Sequence, residues 1–144
     1  MTEPANPLAG YSQGAGWEVG ARRTVTLSQA EAWQLLTSKA GLRCWLGEPQ
    51  GWALAPGTTY QFPDGTRGEL RVLSPSHLRM TWQPPGWDSP STIQVRALAN
   101  GDRAVLAFHQ ERLPGPEARE ERRVFFHQAL DALEALIASG PNNS

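Results

Sequence analysis

The segment that most constrains this chain is its last long amphipathic stretch, residues 116–137, which follows an almost unbroken run of strand-like segments. From Phe126 onward the apolar positions Phe126, Ala129, Leu130, Leu133, Leu136 and Ile137 recur at helical spacing. Gln128, Asp131 and Glu134 fall between them on the wet side. Pro114-Gly115-Pro116 punctuates the start and Gly140-Pro141 the end. At about 1.5 Å per residue such a helix is roughly 30 Å long, enough to cross a small domain. A solitary long helix must bury its apolar stripe on something, and the preceding strands are the available partner. A sheet curved around one long helix tends to leave a space between the two. Whether that space is filled decides the class of function.

The strands are read from period-two alternation. Residues 17–27 carry the β-branched Val19, Thr24, Val25 and Thr26 of a first strand. Ser28 then opens a helix, with Glu31 completing a capping box and Ala32, Trp33, Leu35 and Leu36 on its apolar face. A second short helical turn is expected over 40–46, before the Gly47-Glu48-Pro49 break. Beyond it Tyr60 and Phe62 alternate with Thr59 and Gln61, and Gly68, Leu70 and Val72 with Glu69 and Arg71. Leu78, Met80 and Trp82 alternate with His77, Arg79 and Thr81, and Ile93, Val95 and Ala97 with Gln94 and Arg96. Asn100-Gly101 predicts a type I′ turn into a last strand over 104–110. The result is an α+β domain over residues 17–138, an antiparallel sheet with its helices on one side. Flexible tails are expected at 1–16 and 139–144.

At 144 residues the chain is long enough for one core without disulfides or metal. Its formal net charge of −1 gives no electrostatic footprint for nucleic acid or an anionic membrane. Glu117, Arg119, Glu120, Glu121, Arg122 and Arg123 crowd the first turns of the long helix, and mixed signs at that spacing read as a solvated start with local ion pairs. No apolar stretch approaches the roughly 20 residues that span a bilayer, no signal-peptide pattern opens the chain, and the single Cys44 forms no internal disulfide. A cytoplasmic setting without membrane insertion is the expectation.

The order of strand, two short helices, antiparallel meander and long C-terminal helix resembles the helix-grip superfamily, also called START-like, SRPBCC or Bet v 1-like. Within it the strings VTLSQAEAWQLLTSKAGLRCW (25–45) and LAPGTTYQFPDGTRGELRVLSPSHLRMTW (54–82) resemble the branch named after the activator of the heat-shock-protein-90 ATPase. His109 and the spacing Phe126, Leu130, Leu133 also match, so the resemblance covers residues 17–138. This chain departs from it at Pro56-Gly57, where paired glycines are usual, and at Phe125-Phe126, where the family has a glycine and a tryptophan.

The resemblance implies an apolar cavity between sheet and helix that holds a small hydrophobic molecule. Its expected lining is Trp33, Trp45, Tyr60, Phe62, Leu70, Val72, Met80, Trp82, Ile93, Val95, His109, Phe126 and Leu130, with Trp52 and Trp87 at the rim. If those side chains fill the space themselves, that expectation fails. The resemblance also implies a protein-interaction alternative, a chaperone or other partner, and a cyclase or aromatase alternative. His109 is the candidate acid or base, placed toward the cavity by its parity with Val105 and Ala107; the other reading is a histidine satisfied at the end of the sheet. Tyr60 and Glu111 are further polar candidates, and a wet-tipped strand residue is the alternative for each. Cys44 reads as a packed small hydrophobe, and His77 as solvated on a turn. No metal-ligand spacing, phosphate loop or dinucleotide fingerprint is present, so neither metal nor cofactor is expected. An edge strand and exposed indoles leave a homodimer open.

Overall fold

The computed structural model of the protein describes residues 9–140. The chain opens with a short hairpin of β1 (Tyr11–Ser12) and β2 (Gly16–Val25), then runs into α1 (Gln29–Thr37) and α2 (Lys39–Trp45). A meander of β3 (Thr59–Gln61), β4 (Arg67–Ser74), β5 (His77–Trp82), β6 (Ser91–Asn100) and β7 (Arg103–Leu113) follows, closed by α3 (Pro116–Ala138). All seven strands pair antiparallel in the order β1-β2-β7-β6-β5-β4-β3. The first long strand therefore lies beside the last, and both short helices belong to the connection between β2 and the meander. This is an α+β helix-grip fold, an open curved sheet with α3 laid along its inner face.

Parity sets the inner face. Val19, Ala21 and Val25 of β2, Leu78 and Met80 of β5, Ile93, Val95 and Ala97 of β6, and Ala104, Leu106 and Phe108 of β7 are all buried. Phe126, Ala129, Leu130 and Leu133 of α3 close over them. Helix α1 begins with the capping box expected from the sequence: Glu31 N–H donates to Ser28 Oγ (3.1 Å) and Ser28 N–H to Glu31 Oε1 (2.9 Å). The bond from the Ser28 N–H, with the Ser28 side chain beside it, holds the Glu31 carboxyl below its ordinary range.

Three sequence expectations are corrected here. Residues 9–16 are not a free tail. Tyr11 pairs with Trp17, their rings meet edge to face at 5.5 Å, and Glu18 N–H donates to Gly10 O; residues 1–8 and 141–144 lie outside the described part. Val72 does not face inward. Leu70 pairs with Met80 but Val72 pairs with Arg79, so a bulge inserts one residue, reverses the parity and leaves Val72 exposed. The β6–β7 hairpin turns on Gly101-Asp102, with Asn100 paired to Arg103. Gly101 alone has positive φ, the pattern of a type II′ rather than a type I′ turn.

Candidate functional site

The middle of the grip is solid. A side chain that lines a void big enough for water exposes area to that void even when it is sealed from bulk. Leu70, Met80, Ile93, Val95, Phe126 and Leu130 expose 0%. These six expected cavity residues therefore form packed core. Trp45 joins them, also at 0%, with its indole N–H bonded to Leu36 O at 2.9 Å. The departure at Phe125-Phe126 contributes to the filling, because Phe126 stacks on Phe108 with centroids 5.1 Å apart and 16° between planes.

His109 points the other way. It pairs with Gly20 and Gln94 on the outer face, because bulkier Leu106 and Phe108 take the inward parity and Val105, Ala107 and His109 the outward one. Its Nε2 lies 3.7 Å from Glu18 Oε1. With His127, Arg22 and Arg96 it borders a recess of about 550 Å³. His77, on the same face, is held below its ordinary pKa by partial burial, against a contact of 3.4 Å with Gln94 Oε1 that favours the charged form. Glu111 faces outward 3.8 Å from Arg79.

What occupies the inward position at the end of β7 is Gln110, fully buried, and facing it from α3 is Arg122, 8% exposed. Arg122 Nε donates to Gln110 Oε1 (2.7 Å), Gln110 Nε2 to Ser91 Oγ (2.9 Å), and Ser91 Oγ to Trp82 O (2.6 Å). This polar chain ties the helix to β7, β6 and β5 in turn. The guanidinium carbon lies 4.1 Å from the centre of the Trp82 ring, 4.2 Å from Phe125 and 4.8 Å from Phe126. Burial pulls the Arg122 pKa down to about 10, so it is still charged near neutrality. Arg122 thus leaves the solvated helix start to which its charged neighbours had assigned it. The signal was present: Arg122, Phe126, Leu130 and Leu133 share one helical stripe.

Partly exposed aromatic side chains form a mouth that takes in this cation at Trp82 and Phe125. Trp87 meets Trp82 edge to face at 5.6 Å. On the other side Trp52 contacts both Trp45 and Tyr60, and Tyr60 contacts Phe62. Trp52, Phe62, Trp82, Trp87 and Phe125 are partly exposed where they pack on the core, as is Trp33 on α1. The Tyr60 hydroxyl donates to Thr81 O across β4. Burial pushes its pKa up, opposed by the charge of Arg122, so the phenol stays protonated. Tyr60 also walls a recess of about 490 Å³ with Gln50, Gly51, Thr59, Gln61, Thr81 and Gln83. Cys44 packs against the core, its thiol pushed up by burial and 3.4 Å from Ala40 O. Among the described residues no three of His, Cys, Asp or Glu are grouped to hold a metal, and no helix is long and apolar enough to cross a membrane.

Among the described residues, seven antiparallel strands wrapped on one long C-terminal helix, with two short helices in the first connection, define the START-like helix-grip class. The profile of the family described as Activator of Hsp90 ATPase homolog 1-like protein matches residues 26–138, and the chain belongs to that family. CalU16 from Micromonospora echinospora is 23% identical, with TM-score 0.70 over 82% of this chain and 74% of its own. MLL2253 from Mesorhizobium loti is 20% identical (TM-score 0.71; 86% and 98%), and the HSP90 activator PFC0360w from Plasmodium falciparum 14% identical (TM-score 0.66; 84% and 96%). At these identities the likeness is one of fold. No curated protein matches the chain.

Proposed function

We propose that the protein binds a small, largely apolar ligand at the aromatic mouth of the grip rather than in its middle. The observation that carries this reading is the contrast along the interior. The centre is packed to zero exposure, while Trp82 and Phe125 stay half-buried against the buried Arg122, Trp87 against Trp82, and Trp52 and Phe62 against Tyr60. Aromatic rings held partly open at the edge of a core offer apolar area at about 25 cal/mol per Å² without unfolding what lies behind them. At the mouth Trp87 lies on Trp82 and Phe125 on Arg122, so binding moves these side chains. Native mass spectra of the purified chain, before and after denaturation, test this. A small molecule that travels with the folded chain and is released on unfolding supports the reading. A ligand-free mass that no apolar additive shifts overturns it.

A second reading, a protein-binding module, draws on the outer sheet face, where Arg22, Arg79, Arg96 and Arg103 stand on neighbouring strands of a chain whose net charge is −1. One neighbour in fold is an HSP90 activator. If this chain stimulates a chaperone ATPase, an Arg79→Glu/Arg96→Glu variant is expected to lose the stimulation; no stimulation by the native chain sets the reading aside. The cyclase or aromatase reading loses its base, since His109 lies outside the grip.

A further inference from the structure

We propose that Arg122 is the receptor for the acid group of an amphiphilic monocarboxylate, whose apolar body lies against the rings of the mouth; the inference rests on the ligand-binding reading above. A buried charge is ordinarily paired; among the described residues Arg122 makes no contact ion pair, and Glu121 acts on it only at longer range. The buried polar and charged residues are Thr66, Ser91, Thr92, Gln110 and Arg122, with no acid among them, and no carboxylate lies within ion-pair distance of Arg122 among the described residues. Of the five N–H donors of the guanidinium, the one on Nε is used, on Gln110. The two Nη groups make no hydrogen bond to a described residue. They are not sealed either, because no fully buried side-chain nitrogen or oxygen among the described residues lacks a partner. The Nη edge is therefore the part of Arg122 that reaches accessible space.

The geometry specifies the ligand. Trp82 and Phe125 cover the guanidinium at 4.1 and 4.2 Å, and Gln110 fixes its Nε edge. What remains open is the fork of Nη donors, which matches the two oxygens of a carboxylate. One buried cation neutralises one negative charge, so a monoanion fits where a phosphate dianion leaves charge uncompensated. The surrounding surface is aromatic, which calls for an apolar body. Gln110 and Ser91 are positioning residues, since they hold the fork and do not themselves offer it a free donor.

The test is a matched series of straight-chain probes below their micelle concentrations, decanoate, decanol and decylamine, titrated into the full chain and followed by tryptophan fluorescence and calorimetry. Decanoate is expected to bind at least roughly tenfold more tightly than decanol, the scale of one charge-assisted hydrogen-bonded pair, and decylamine not at all. Arg122→Met is expected to bind acid and alcohol alike. Should that variant fold poorly because Gln110 loses its partner, Arg122→Met/Gln110→Leu restores an apolar interior and carries the same expectation. Equal affinity of the native chain for decanoate and decanol overturns the inference while leaving the ligand-binding reading standing, as does an acid preference that survives in the variants. No binding of any probe overturns both.

Discussion

Arg122 concentrates the residue-scale physics of this protein. Taking a guanidinium out of water costs several kcal/mol, and here one hydrogen bond to a neutral amide and three ring faces offset it. Gln110→Leu removes the single acceptor of Arg122 among the described residues and is expected to lower stability by about 2–4 kcal/mol in urea denaturation. Arg122→Met/Gln110→Leu removes the whole demand and should unfold near the native midpoint or above it; a large loss there would show that the cation is a structural pillar. Phe126→Ala, at the centre of the ring stack, is expected to cost about 3–5 kcal/mol, while exposed Val72→Ala stays within about 0.5 kcal/mol. The sequence misled at Arg122 and on β7 for definable reasons. Charged neighbours disguised a helical stripe that runs from Arg122 through Phe126. At β7 the set Val105-Ala107-His109 was read as inward, whereas the bulkier Leu106 and Phe108 take that face with Ala104.

Among the elements, the junction of β3, β4 and β5 is the most demanding. Tyr60 reaches across β4 to Thr81 O, and the crossing point is Gly68. A Cβ built there would stand 1.9 Å from Thr81 O and 2.4 Å from Tyr60 Oη. Gly68→Ala must push β4 from β5 and is expected to destabilise the chain by more than Tyr60→Phe, which loses one hydrogen bond at about 1 kcal/mol. Tyr60→Phe should not rescue Gly68→Ala, because the nearer obstruction is backbone; a rescue would locate the clash at the hydroxyl. At the start of α1, Ser28→Ala is expected to cost about 1 kcal/mol. Glu31 has its folded pKa depressed, so its contribution is complete above the unfolded value near 4.5 and is lost as pH falls through the folded one. The Tm difference between native chain and Glu31→Ala should accordingly shrink in acid. The capping box, α3 and the meander were legible in sequence because they rest on local spacing. The Leu70/Val72 bulge and the N-terminal hairpin were not, since each depends on a partner strand that local pattern does not name.

For the whole molecule, element order was enough to identify the grip, because a long amphipathic helix after an alternating meander has few ways to bury itself. The filling of the grip was not legible, since it is a sum of side-chain volumes in three dimensions; Phe125-Phe126 in place of a glycine and a tryptophan was its one trace. A closed core with a half-open aromatic mouth ties ligand binding to a local opening around Trp87 and Phe125, with α3 and the β5–β7 core unchanged. A ligand present at a hundred times its Kd adds about 2.7 kcal/mol, which should raise Tm by roughly 5–10 °C for a chain of this size.

The six tryptophans allow the most direct measurement, a ¹H–¹⁵N spectrum of the indole N–H groups during titration with decanoate. The Trp82 and Trp87 signals, and that of Trp52, are expected to move together in a saturable way. Trp45, sealed in the core and bonded to Leu36 O, should stay in place. Six unmoved indoles, or a shift of Trp45 as large as that of Trp82, would contradict a ligand site at the mouth.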